Sequence, residues 1–281
     1  MRAGRTSALL FVACACSAIP GCARALREPP PLRDLGVGEG GSAPSRDSSP
    51  AGPAEVDSLL KRAAGLYAAR DLLEVKEAAR VFLEAARADA TSVEGLVGAV
   101  RAHVWLVDHE TDQLARRDAA TSAVQSAQWC GRIEPDNPAC AYWLGAALGV
   151  QARERRSTGL DALPLIEQAF KKAADTAPSL EEGGPDRALA LLYLRAPGWP
   201  TGPGDPDLGL THARKAVQLS PAYPPNQLAL AEALKATGDI EESARTYQRA
   251  LDLSRSRATA RDPDASEWIE EAEQALKGAS R

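Results

Sequence analysis

Along residues 226–253, Leu230 and Ala231 share a helical face with Leu234, a turn falls at Thr237-Gly238-Asp239, and Ser243, Tyr247 and Ala250 recur at spacings of four and three. The pattern predicts two antiparallel helices. Gly238 fits the left-handed position that ends the first, and Asp239 can start the second. The same offsets return upstream: Gly209, Ala213 and Ala216 precede Pro221, Ile166, Phe170 and Ala173 precede Pro178, and Ala123, Ala127 and Cys130 precede Pro135. Near the start, Ala64 and Tyr67 pair with Ala78, Phe82 and Ala85 across a turn two residues longer. Each proline ends a helix, since it lacks an N–H and clashes with the preceding turn. The body is rich in Ala and Leu and poor in β-branched and aromatic residues, so it reads as nearly all helix.

Small residues that let paired helices approach, with an aromatic side chain filling the gap between pairs, resemble the tetratricopeptide (TPR) repeat. The resemblance implies an all-α, TPR-like α-α superhelix of about four to five divergent helical hairpins over residues 53–281, with a capping helix at Glu267–Lys277. The array is divergent because Pro135, Pro178 and Pro221 are spaced 43 residues apart, against about 34 for the repeat consensus. Elongated turns or elongated first helices would account for the excess.

The amino terminus has a different pattern. The apolar run Ala8–Ala18 follows Arg2 and Arg5; it is too short to span a bilayer and has the layout of an export signal. Ala18-Ile19-Pro20 is a poor cleavage site because proline lies next to the cut. Ile19-Pro20-Gly21-Cys22 instead resembles the lipobox of bacterial lipoproteins. That resemblance implies that residues 1–21 are removed and that Cys22 becomes the acylated first residue, attached to the membrane by its lipid alone. Ala23, where an aspartate would often signal inner-membrane retention, points to the outer membrane, facing the periplasm. Plain secretion, or a cytosolic chain with an accidental apolar start, are the alternatives. Residues 22–52 are full of Pro, Gly and Ser and predict a flexible tether. Its glycines lack the strand, helix and Lys-Ser/Thr of a phosphate loop.

Within the array, Tyr142-Trp143, Gly183-Gly184-Pro185 with Arg187, Tyr193 with Ala196-Pro197, and Lys215 through Gly238 follow one another in order. They resemble the TRAP-transporter-associated lipoproteins known as the T component, or TatT family, over roughly residues 53–255. The long gap at 200–206 and the extra residues at 251–281 depart from that pattern. The resemblance implies an accessory binding component of a small-molecule uptake system, able to form homo-oligomers and working beside a TRAP solute-binding protein or a hydrophobic small ligand. A generic TPR scaffold for protein–protein interaction in envelope assembly is the alternative.

Formal net charge is −5, and loss of Arg2 and Arg5 makes the mature chain more acidic, which argues against nucleic acid as a partner. His103, His109 and His212 are scattered outside any metal-ligand spacing, and Asp108, Glu110, Asp112 and Asp118 fall where solvated carboxylates are ordinary. No serine or cysteine stands in a nucleophile elbow. The chain therefore reads as a non-enzyme with no cofactor or metal. The candidate ligand or partner surface comprises Trp105, Trp143, Tyr193, Trp199 and Arg187. Trp199 lies in a loop between Gly198 and Pro200, where folding has less need of it. For Trp143 and Tyr193 the competing role is core packing, and for Arg187 it is tethering its own turn. Cys130 and Cys140, between which Pro135 and Pro138 turn the chain, either form a disulfide or fill helix-packing gaps as small side chains.

Overall fold

The computed structural model describes residues 26–36 and 52–279; Cys22, the signal and much of the expected tether lie outside the described residues. Eleven α-helices follow one another among the described residues: α1 Pro53–Ala68, α2 Leu72–Ala88, α3 Glu94–His109, α4 Gln113–Ile133, α5 Pro138–Glu154, α6 Arg156–Thr176, α7 Gly184–Arg195, α8 Pro206–Leu219, α9 Pro224–Ala236, α10 Ile240–Thr259 and α11 Ala265–Ala279. Their starts are written in the sequence. Asp71, Asp112, Asn137, Asp205 and Asp239 each accept hydrogen bonds from amides of the first turn that have no partner within the helix. Gly238 takes φ 93° between α9 and α10, a conformation that an L side chain resists.

Consecutive helices pack as hairpins, α1 with α2 through α9 with α10, and α11 closes the array. This is an all-α, TPR-like solenoid. First helices of successive hairpins also touch, α1 on α3, α3 on α5, α7 on α9 and α9 on α11, so they form the inner layer of a curved stack. The excess over the consensus repeat has two sources. The second helices α4 and α6 each run 21 residues, whereas between α7 and α8 it is the turn, residues 196–205, that is long. The long turn is one of the two expected sources, the first helix α5 is itself 17 residues against 12 for α7 and 13 for α9, and the long second helices are a source the sequence reading did not include.

Glycine controls two inter-helix approaches. A Cβ at Gly98 would lie 2.4 Å from the Phe82 ring, and one at Gly145 would lie 2.6 Å from the Phe170 ring. Each phenylalanine thus fills the space that a side chain on the facing helix would need.

Residues 26–36 correct the expectation of a tether that is flexible throughout. They lie as a strap across α4 and α2, with a short 3-10 turn at Leu32–Asp34. Leu35 is only 1% exposed and joins the core around Leu83. Polar side chains of the outer helices hold the strap's backbone: Gln128 donates to the Arg27 carbonyl at 2.9 Å, Trp129 Nε1 to Pro30 at 2.7 Å and Arg87 to Leu35 at 2.6 Å. Its Pro and Leu residues, which in composition read as a spacer, satisfy an apolar surface that the helices alone leave open.

Cys130, near the end of α4, and Cys140, in the first turn of α5, are joined by a disulfide with Cα atoms 5.3 Å apart and a sequence separation of 10. Both are buried. Closing a loop of this size is worth about 2–3 kcal/mol in the chain-entropy account. Reduction, or Cys130→Ala with Cys140→Ala, is expected to lower the urea-unfolding free energy by about that amount. Thiol titration of the unfolded protein checks the premise, and two free thiols would contradict it.

Candidate docking groove and the inner seam

Among the described residues, the inner layer is interrupted between α5 and α7. α5 and α7 lack the close contact made by the other neighbouring first helices, and a cavity of about 540 Å³ opens between them over α6. Gly145, Gly149, Leu163, Phe170, Leu192 and Pro197 are among its lining residues. The groove is apolar because α5 presents Gly and Ala on this side, while α6 supplies the branched side chains of the floor. Leu160 on the α6 rim is 55% exposed. Arg153, paired with Asp108 at 2.5 Å, and Arg195, paired with Glu232 at 2.6 Å, stand at its charged edges. A Cβ built on Gly149 meets nothing within 4 Å, so the groove is open space on that side.

Elsewhere the chain's own side chains occupy the inner face. Arg70 stacks over Tyr67 at 4.1 Å and forms a two-pronged pair with Asp264, Nε to Oδ1 at 2.6 Å and a second nitrogen to Oδ2 at 3.0 Å. Arg101 lies between the rings of Tyr67 and Trp143, 5.5 and 5.7 Å from their centroids. Arg187 and Arg257 approach Tyr223, whose ring meets Trp268 edge-on. Burial raises the Tyr67, Tyr142 and Tyr223 hydroxyls above their ordinary range, against the pull of the neighbouring arginines. These groups form a seam that joins the first hairpins to the last. His109 extends it by reaching Glu267 at 2.7 Å.

A tight turn at 181–183 lies at the centre of this seam. Glu181, Glu182 and Gly183 all have positive φ, at 47°, 59° and 79°, a run that costs about 1–2 kcal/mol for each non-glycine residue. Asn226, buried in α9, holds the turn. Its Nδ2 donates to the carbonyls of Glu182, Ala216 and Ser220 at 2.8, 2.9 and 3.1 Å, and its Oδ1 accepts from Arg187 at 2.8 Å. Arg187 also reaches the Glu181 carbonyl at 3.3 Å. Gly184 leaves room for Tyr142, whose hydroxyl would lie 3.0 Å from an added Cβ.

The residues expected to form one surface are not brought together. Trp199 is 90% exposed, two residues beyond the Pro197 that lines the groove. Arg187 ties its own turn. Tyr193 is buried and donates to Glu167 at 2.8 Å. Trp143 lies in the seam, and Trp105 stacks on His109 with ring centroids 3.7 Å apart. The expectation that Tyr193 and Arg187 complete a contact face with Trp199 is therefore corrected, because both spend their polar atoms inside the array. Sequence reading missed Asn226 and the α5–α7 gap. The asparagine could have been singled out as a polar residue on a helix face that is otherwise Leu and Ala. The gap had no sequence signal, since it depends on how far two helices splay.

Among the described residues, no group of three or more His, Cys, Asp or Glu side chains is placed to hold a metal ion, and no helix is long and apolar enough to cross a membrane. No family model matches the chain, and no curated protein does. Solved structures do. A thermophilic TPR protein of Thermus thermophilus, TTC0263, is 18% identical, with a TM-score of 0.58 over 77% of this chain and 98% of its own. The MamA protein is 15% identical, with a TM-score of 0.45 over 73% and 94%. At 18% identity the first likeness establishes the TPR-like fold alone.

Proposed function

We propose that the protein is a non-catalytic docking scaffold of the bacterial cell envelope, held at the membrane through acylated Cys22. Its working surface is the α5–α7 groove, which takes an apolar segment of a partner protein. The observation that carries this reading is the groove itself. In an array whose inner face is otherwise filled by its own arginines and aromatic rings, it is an open apolar recess, and an exposed tryptophan stands beside it. Recesses of this kind, with a polar rim, mark binding sites. The buried Cys130–Cys140 disulfide supports export, because such bonds persist in oxidising compartments.

A TRAP-transport accessory role is the narrower form of the same reading. In its favour, a recess of about 540 Å³ has room for a small hydrophobic ligand. Against it, Tyr142, Gly184, Arg187 and Asn226, which belong to the segments carrying that resemblance, are accounted for by packing of the 181–183 turn. The general scaffold is therefore the preferred conclusion.

Filling the recess tests it. Gly149→Trp places a large ring where a Cβ has free space and removes a helix-interior glycine, so stability should be preserved or improved by about 0.5 kcal/mol. A photo-crosslinker at Leu160 should give discrete partner bands in cells, and these should fall at least about tenfold in the Gly149→Trp background, the loss expected when more than about 1.4 kcal/mol of contact energy is removed. Undiminished bands with unchanged stability would place the docking surface elsewhere. Native mass spectrometry of the purified chain separates the two forms of the reading, since a retained small molecule displaced by Gly149→Trp favours transport.

A further inference from the structure

The strap begins almost at the anchor. Only Ala23, Arg24 and Ala25 separate Cys22 from Leu26, the first residue of the strap, which packs against the second core cluster. Four Cα steps reach at most about 14 Å. A free 31-residue tether of this composition would wander by about 30 Å in any direction and impose no orientation on what it carries. The strap removes that freedom, because its backbone is held at three carbonyls by Gln128, Trp129 and Arg87, and its Glu28 pairs with Arg132 at 2.6 Å. All four of these partners lie on the second, outer helices α4 and α2, whereas the α5–α7 groove interrupts the inner layer.

We propose that residues 26–36 are a short fixed leash that holds the outer face of α2 and α4 against the bilayer surface, so that the α5–α7 groove faces away from the membrane. This rests on the reading of Cys22 as acylated. The occupant of the outer face is the lipid headgroup layer, brought there by the acyl chains and not by an apolar patch. The strap's outward residues suit that layer, with Arg27 and Glu28 exposed and the Arg33 side chain 72% exposed. Several acyl chains make the attachment stable, and the chain length between Cys22 and Leu26 keeps the start of the strap within about 14 Å of the anchor.

The test uses the full acylated chain in phosphatidylcholine–phosphatidylglycerol vesicles carrying a nitroxide headgroup lipid. A fluorescent probe is placed by Glu84→Cys on α2, where the side chain is 45% exposed, or by Leu160→Cys at the groove; the disulfide occupies the other cysteines of the described residues. The probe at position 84 should be quenched several-fold more strongly than the probe at position 160. In a strap-released form, Leu35→Asp with Trp129→Phe, vesicle sedimentation should persist while the contrast between the two probes disappears. Equal quenching in the parent protein, or a contrast that survives strap release, overturns the leash while leaving acylation intact. Failure of the parent to sediment, matching a Cys22→Ser control, removes the acylation reading and the leash with it.

Discussion

Replacing Asn226 by alanine is expected to lower the unfolding free energy by about 3–5 kcal/mol and the melting temperature by about 10 °C. One side chain shares its two amide hydrogens among three backbone carbonyls and accepts from one guanidinium in a fully buried position. Truncation removes these bonds at once: the Ala216 and Ser220 carbonyls keep the N–H groups of Ser220 and Tyr223 and Arg187 keeps the Glu181 carbonyl, so the cost falls mainly on the Glu182 carbonyl and the weakened guanidinium, at about 1–3 kcal/mol each. It also releases the left-handed run at Glu181-Glu182-Gly183, whose strain persists only while its surroundings hold it. Asn226→Asp should be no milder, since it keeps the acceptor for Arg187 and turns a donor into a charged acceptor facing three carbonyls. Urea unfolding followed by circular dichroism reads the effect. A loss below about 1 kcal/mol for Asn226→Ala would show that water or a rearranged turn replaces the side chain.

Acidification is expected to be the second large perturbation. His103 is buried in α3 with Nδ1 2.8 Å from the Ala99 carbonyl, and burial pushes its pKa down from 6.5 to about 4. In the native state it stays neutral, with the proton on Nδ1. The unfolded chain binds a proton first as pH falls through 6.5, so the stability linked to this group is fully present above that value and is lost as pH falls toward 4. The loss is about 2 kcal/mol by pH 5 and approaches about 3 kcal/mol below pH 4. Lys76, Arg80, Arg87 and Asp118 line the adjoining cavity, so the environment that an imidazolium would face is mainly cationic. His103→Asn, which cannot titrate, should flatten stability between about pH 7.5 and pH 5 by about 2 kcal/mol relative to the parent. An unchanged slope would assign the acid sensitivity to other groups.

The array was legible because its periodicity is local. The offsets before Pro135, Pro178 and Pro221 fall on α4, α6 and α8, and Asp239 and Gly238 take the cap and turn positions that their chemistry favours. Residues whose role is set by a distant partner were harder to read. Arg187 offered a guanidinium to any anion in the sequence, yet its partner Asn226 lies 39 residues away. Tyr193 admits both a surface and a core role in the sequence, and Glu167 on the preceding helix, which satisfies its hydroxyl from inside the fold, assigns it to the core. Residues 26–36 carried the composition of a spacer, and only the open apolar surface on α2 and α4 makes them part of the core. Composition reports what a segment can do alone; these segments act through surfaces that other parts of the chain provide.

The pairing of Arg70 with Asp264, across 194 residues, changes the statistical character of the array. In an open solenoid each repeat feels only its neighbours, so the terminal repeats fray first and independently. Here the turn of the first hairpin and the segment before α11 share a buried-side contact, reinforced by His109 and Glu267. Opening either end exposes part of the other. Amide hydrogens of α1 and α11 should therefore exchange as one cooperative unit, and Asp264→Asn should speed exchange in α1 although the substitution lies almost at the opposite end of the sequence.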